Sequence, residues 1–321
     1  MSTDDRFELG SDRMDGLLKK AKRKSIGRQA GISALVVMIV LAGYVGARGY
    51  LLNEVSRGQL ERDIAVMKRI TQPNVEVMQS TTVSEGLFRN TVQYRSYKLI
   101  EGQPVKWEDR LYEYSMWNTF HPLNRPVPIE RDAQRLEEAH ISFNAETAQR
   151  ELRFYLPSHP YPYIAQDVDK LDRKENKVAE IAVSFDKPYT VEQIKGMLPN
   201  GVHAQWYWVD AYDEQSVDER KSPEHAGAVY GFKAEDRGLE GGDGSEKDFI
   251  LAVQNGLRVS RKYREEFQKL YDYLRAGKSE PTVQDIRILG VVVTGTAKDL
   301  QQLKGLPFAR ATVQGAMTDE M

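Results

Sequence analysis

The chain has 321 residues, is 40% apolar and 29% charged, and carries a formal net charge of −2. That length allows about two ordinary domains of globular composition, and so small a net charge supplies no field that would draw in nucleic acid, so no direct nucleic-acid partner is expected. The chain has no cysteine, which excludes a disulfide framework, a thiolate zinc site and a cysteine nucleophile.

The N-terminal stretch "RFELGSDRMDGLLKKAKRKS" is acidic first and basic last. If Met14–Lys24 is helical, Leu17, Leu18 and Ala21 make a small apolar patch. Two readings stay open: a disordered tail whose lysines meet anionic membrane lipid, or a segment that folds on a partner. Phe7, Leu9, Leu17 and Leu18 are the candidate partner-binding residues, because apolar anchors dominate small interfaces.

From Ala30 to Ala47 no side chain is charged. At about 1.5 Å per residue this run is ~27 Å long, against a bilayer core of ~30 Å. It is apolar all round, unlike a core helix of a small domain. The long preceding region and the lack of a small-x-small site argue against a cleaved leader. A membrane-spanning helix over 30–52 is therefore expected, with Arg48 snorkelling to the headgroups and Tyr44 and Tyr50 near the outer interface. Lys19, Lys20, Lys22, Arg23, Lys24 and Arg28 precede the span. The positive-inside rule then places the N-terminus in the cytoplasm and the bulk of the chain outside the cell.

Beyond the span, Val55, Leu60, Ile64, Met67 and Ile70 form a partial helical stripe that Pro73 ends. From Asn74 to Leu156, segments rich in β-branched and aromatic residues alternate with turn chemistry, which predicts an antiparallel sheet domain. The proline-rich and charged stretch 157–177 predicts a domain boundary. The last third alternates strand and helix. "KVAEIAVSF", "VHAQWYWVDAY", "GAVYGFK", "IRILGVVVTGT" and "FARATVQGA" read as strands. Thr190 with Gln193 reads as a capping box, and Ser245 with Asp248 as a second before one long helix over 246–276. Ile194–Pro199 resembles Leu303–Pro307, and if this is a repeat a split βαβ, ferredoxin-like packing is natural. The expected class is α+β, divided into a tail (1–29), a transmembrane helix (30–52), a β-rich domain (53–165) and an αβ domain (170–321).

Residues for catalysis are not evident. Ser184-Phe185-Asp186-Lys187 fits Ser-x-x-Lys, but the serine stands at a strand end and the partner motifs are missing. "GLEGGDGSEKD" lacks the elements of a phosphate loop or an EF-hand. The five histidines show no metal-ligand spacing. No catalytic residue, metal or cofactor is expected. In a strand, Trp206 and Trp208 share one side and Tyr207 the other, a face for ligand stacking or for core packing.

"LLKKAKRKS" before the span and "YLLNEV" after it resemble the N-terminal part of the sigma factor regulator family. "VAEIAVSFDKPYTVEQIKGMLPNGVHAQWYWVDAY" and "ILGVVVTGTAKDLQQLKGLPFARATVQGA" resemble the start and end of that family's C-terminal domain. The resemblance runs from Leu17 to about Ala316. It implies a non-enzymatic, membrane-anchored anti-sigma factor of Gram-positive bacteria, which holds an extracytoplasmic-function sigma factor inactive until an envelope signal relieves it. The tail would be a minimal docking peptide, or a second membrane protein would assist it. The reading from another class is an envelope structural or ligand-binding protein whose tail is only an anchor. An envelope hydrolase is a third.

Overall fold

The computed structural model describes residues 3–78, 80–124, 128–130, 140–157, 159–173, 176–212, 222–234 and 245–320. The chain opens as a helical rod. Helix α1 (Thr3–Gly49) passes through a π-helical stretch (Tyr50–Arg57) into α2 (Gly58–Ile70) without leaving helical backbone. The rod is roughly 100 Å long at the α-helical rise. It stops at Thr71, which turns extended, and Pro73 follows, unable to donate to the helix.

Short strands come next: β1 (Glu76–Val77), β2 (Thr81–Glu85), β3 (Arg89–Tyr94), β4 (Ser96–Ile100), β5 (Gln103–Lys106), β6 (Arg110–Ser115), β7 (Phe120–Pro122), β8 (Ile129–Glu130), β9 (Ser142–Phe143) and β10 (Arg153–Phe154). The antiparallel sheets run β1-β4-β5 and β2-β3-β6-β7. Strand β3 shows the period-two pattern of a half-buried strand, with Asn90, Val92 and Tyr94 inward. Val92 and Tyr94 pack with Tyr114 on Leu52 and Leu60 of the rod.

The remainder comprises a 3-10 stretch (Asp167–Arg173), β11 (Lys177–Tyr189), α3 (Val191–Met197), β12 (His203–Val209), β13 (Glu224–His225), β14 (Gly231–Lys233), α4 (Glu246–Val259), α5 (Arg264–Arg275), β15 (Ile288–Thr296), α6 (Ala297–Leu300) and β16 (Ala309–Asp319). Five strands form an antiparallel sheet in the order β14-β12-β15-β11-β16. The fold is α+β. The order of β16-β11-β15-β12, with α3 and α6 each joining two of these strands, is compatible with a ferredoxin-like arrangement.

Both faces of this sheet are covered, so β11 is buried almost continuously from Val178 to Phe185. On one face Ala179, Ile181 and Val183 pack with Ile194, Val253 and Phe267, and with Val66 and Ile70 of α2. On the other, Ala182, Trp206, Trp208 and Val292 pack with Leu152, Phe154 and Tyr155. The stretch 157–177, expected as a linker, gives Tyr161 to the second cluster and Val168 and Leu171 to the first.

Two local expectations are corrected. The one long helix over 246–276 is two helices, α4 and α5, broken at Ser260 by a buried carboxylate from the rod, described below. Ser184 does not end its strand: β11 continues through a register shift to Tyr189, and the Ser184 hydroxyl accepts from the Tyr155 amide at 2.9 Å. The Thr190–Gln193 capping box is present on α3.

Candidate relay site

Phe7 and Leu9 stand on α1, and their side chains lie outside the described residues. Met14, Leu17 and Leu18 are exposed side by side on the same helix, as their three- and four-residue spacing requires. Further along, Ile32, Leu35 to Leu41 and Val45 are exposed as well, with none of this apolar stretch buried inside the protein. Among the described residues this is the one helix long and apolar enough to cross a membrane.

Where the apolar run ends, the β2–β3 hairpin grips the helix. Arg48, expected to snorkel, instead donates to the Gly86 carbonyl from Nη2 at 2.8 Å and from Nε at 3.1 Å. It also reaches Asn90 Oδ1 at 3.3 Å and lies 3.8 Å from Glu85. One turn earlier the Tyr44 hydroxyl donates to the Leu87 carbonyl. Gly86 suits this turn, because a Cβ there would sit 2.9 Å from the Arg89 carbonyl oxygen. Leu52, expected at the outer end of the span, is fully buried beneath β3 and β6. The physical reason is that Val92, Tyr94 and Tyr114 of the sheet offer it apolar partners within the protein.

The far end of the rod is locked into the C-terminal half. Asp63 on α2 is fully buried. Its Oδ1 accepts from the Ser260 hydroxyl at 2.5 Å and the Arg261 amide at 2.9 Å, and its Oδ2 from Gln59 Nε2 at 3.2 Å. Ser260 Oγ in turn accepts from the Tyr263 amide at 3.1 Å, starting α5. A carboxylate with several donors is the usual way a buried charge is tolerated. Nearby, Glu76 on β1 meets Lys233 of β14 at 2.5 Å and Lys68 of α2 at 3.7 Å.

A second buried charge joins the sheets. Lys98 on β4 donates to Glu180 Oε1 on β11 at 2.5 Å, with the two side chains 1% and 0% exposed. Glu180 also accepts from Asn74 Nδ2 at 3.0 Å and from the Ala316 amide at 3.0 Å. The Lys98 ammonium lies 4.1 Å from the centre of the Trp107 ring. Gly315 leaves the room: a Cβ there would stand 2.5 Å from Glu180 Oε1.

Beside this pair is a cavity of about 510 Å³ whose lining includes Lys98, Trp107, Glu108, Arg110, Glu151 and His225. Burial, and then the Glu108 carboxylate, push the Glu151 carboxyl above its ordinary value of 4.5. Between the ordinary and the raised value the folded state binds more protons at this group than the unfolded state, so its contribution to stability is most favourable at low pH and falls as pH rises through that window. Glu151→Gln removes this term. We expect it to raise the melting temperature at pH 7 by roughly 1–3 °C and to leave it unchanged near pH 3, where both forms are neutral. Thermal melts of the two proteins at both pH values check this.

Trp206 and Trp208 are buried between the sheet and the 152–156 segment, not open to a ligand. Their ring centres stand 6.2 and 5.2 Å from Phe154, and Trp208 Nε1 donates to the Tyr212 hydroxyl at 3.0 Å. Tyr207 faces the other cluster. Among the described residues no three His, Asp or Glu side chains stand together as metal ligands would. The residues that sequence reasoning missed, Asp63, Lys98 and Glu180, are lone charges in otherwise ordinary segments, and no local pattern marks them, whereas the sequence singles out Arg48 but for another role.

Residues 16–105 match the model of the sigma factor regulator N-terminal domain, and residues 170–315 that of the sigma factor regulator C-terminal domain. The chain belongs to the sigma factor regulator family. No curated protein and no solved structure matches it. As a sigma factor regulator the chain has a regulatory role, which supports anti-sigma activity with a sigma factor as the partner. The apolar helix falls in the N-terminal region of this regulator and suggests a single-pass membrane anchor. Asp63 and Lys98 belong to the N-terminal region, Ser260 and Glu180 to the C-terminal one. The two buried carboxylates therefore join the regulator's two matched regions.

Proposed function

We propose that the chain is a single-pass, membrane-anchored anti-sigma factor with residues 1–29 in the cytoplasm and the two sheet-bearing regions outside. The tail holds an extracytoplasmic-function sigma factor near the membrane, with Phe7, Leu9, Leu17 and Leu18 as contacts and a second membrane protein as a further partner. An envelope signal acting on the outer body relieves the hold. The observation that supports this most is the unbroken helix from Thr3 to Ile70, clasped at Arg48 and fixed at Asp63. Such a rod leaves no slack between the outer body and the tail. A signal that favours one placement of the body then favours one placement of the tail, as any relay between two states requires. Lys19 to Arg28 supply the basic flank of a cytoplasmic side.

The paired change Leu17→Glu and Leu18→Glu tests the tail. Apolar anchors at a small interface are each worth about 2 kcal/mol when they are hot spots. Losing both weakens sigma-factor binding on the order of 100-fold or more. A reporter driven by the cognate sigma factor should rise to the level of a deletion strain, with the protein still in the membrane fraction at its normal amount. An unchanged reporter, with a sigma factor that never co-purifies with the wild-type chain, would favour a plain anchor instead.

A further inference from the structure

The outer body carries an exposed aromatic tip at the depth where the helix leaves the bilayer. In the β2–β3 turn Leu87 is 69% exposed and Phe88 47%, and in the β6–β7 turn Trp117 is 66% exposed. The three are one patch. The Phe88 and Trp117 ring centres are 5.8 Å apart, the Tyr44 and Phe88 rings 6.0 Å apart, and the Met116 amide donates to the Phe88 carbonyl at 3.0 Å.

The depth follows from the helix. The uncharged run ends at Ala47 and is, at ~27 Å, slightly shorter than a hydrocarbon core of ~30 Å. The outer edge of the core therefore falls at or beyond Ala47. Tyr44 lies three residues before that edge, about 5 Å inside it. The Leu87 carbonyl accepts from the Tyr44 hydroxyl, so the hairpin tip shares that level. Backbone at that depth must be satisfied internally. The Gly86 amide and the tip carbonyls are: that amide donates to the Arg89 carbonyl at 2.8 Å, Arg48 and Tyr44 donate to the Gly86 and Leu87 carbonyls, and the Met116 amide to that of Phe88. The side chains turned outward are Leu, Phe and Trp, the types that settle at a membrane interface.

We propose that the 86–88 hairpin tip and Trp117 insert into the interfacial layer of the outer leaflet, as a second, non-helical membrane contact. This rests on the reading of α1 as a span with the body outside. A single helix can tilt and turn in a bilayer, whereas two contacts fix its tilt, rotation and depth. The foot thus sets the position from which the rod presents its tail.

The absence of cysteine makes the test clean. The full chain is reconstituted in phosphatidylcholine–phosphatidylglycerol vesicles with one cysteine at a time, Leu87→Cys, Val40→Cys or Ser279→Cys, each carrying an environment-sensitive fluorophore. Lipids with a nitroxide near the carbonyl or deep in the acyl chain serve as quenchers. We expect the label at 87 to shift to the blue and to be quenched several-fold more than that at 279, most strongly by the shallow nitroxide. The label at 40 should respond to the deep one. Quenching at 40 without quenching at 87 overturns the inserted tip and leaves the span standing. A label at 87 that is blue-shifted but untouched by either nitroxide also overturns it, in favour of a protein contact or a second copy. No quenching at 40 removes the span reading itself.

Discussion

Lys98→Met is expected to destabilise the folded sheet-bearing body by about 3–5 kcal/mol, the usual penalty for removing one partner of a buried ion pair. Glu180 would be left in a fully buried position with the Asn74 amide and the Ala316 N–H as its remaining donors. The packing of Lys98 over Trp107 would be replaced by a similar volume, so the loss should come from the stranded carboxylate rather than from a cavity. Adding Glu180→Gln should return most of the stability. The double variant has no buried charge, and the glutamine carbonyl can still accept from Ala316. Chemical denaturation of the full chain in micelles, followed by tryptophan fluorescence, reads both, since Trp107, Trp206 and Trp208 are all buried in the sheet-bearing part of the chain. Equal stability of single and double variants would mean that the pair contributes no more than its packing.

Asp63→Ala is the second large effect. It strips the buried acceptor from the Ser260 hydroxyl, the Arg261 amide and Gln59 Nε2 at once. Unsatisfied buried donors cost about 1–3 kcal/mol each, so a loss of roughly 3 kcal/mol is expected after partial rearrangement. Asp63→Asn should cost less, because its carbonyl oxygen still accepts from Arg261 and Ser260. The loss should also be local. Hydrogen exchange of amides in Gly58–Ile70 should quicken while β11 and β15 keep their protection, since those strands are held by each other and by both core clusters. Uniform loss across the sheet would show that the sheet's own stability depends on α2, through Val66 and Ile70.

The features legible in the sequence are those whose cause is local. The Thr190–Gln193 box lies within four residues, and the structure makes both of its bonds. The alternation in "QWYWV" separates Trp206 and Trp208 from Tyr207, and they do enter different clusters. The apolar run of α1 is a matter of composition. What escaped has distant causes. The break between α4 and α5 depends on Asp63, 197 residues from Ser260. Arg48 reads as a snorkelling residue until a hairpin 38 residues on brings it a carbonyl. The stretch 157–177 has linker composition, yet Tyr161, Val168 and Leu171 are enough to fasten it to the sheet. Lys98 and Glu180 stand on different sheets, 82 positions apart, and each alone reads as a surface charge.

The most direct measurement of the account as a whole is the side of the membrane on which each end lies. Single cysteines are placed at Ser25, on the helix before the span, and at Ser279, on the exposed loop after α5, in a chain that has no other thiol. Intact cells are treated with a maleimide that cannot cross the membrane. The account predicts modification of the thiol at 279 in whole cells and of that at 25 only after the cells are opened. Modification of 25 but not of 279 in whole cells, or of neither until lysis, would contradict it.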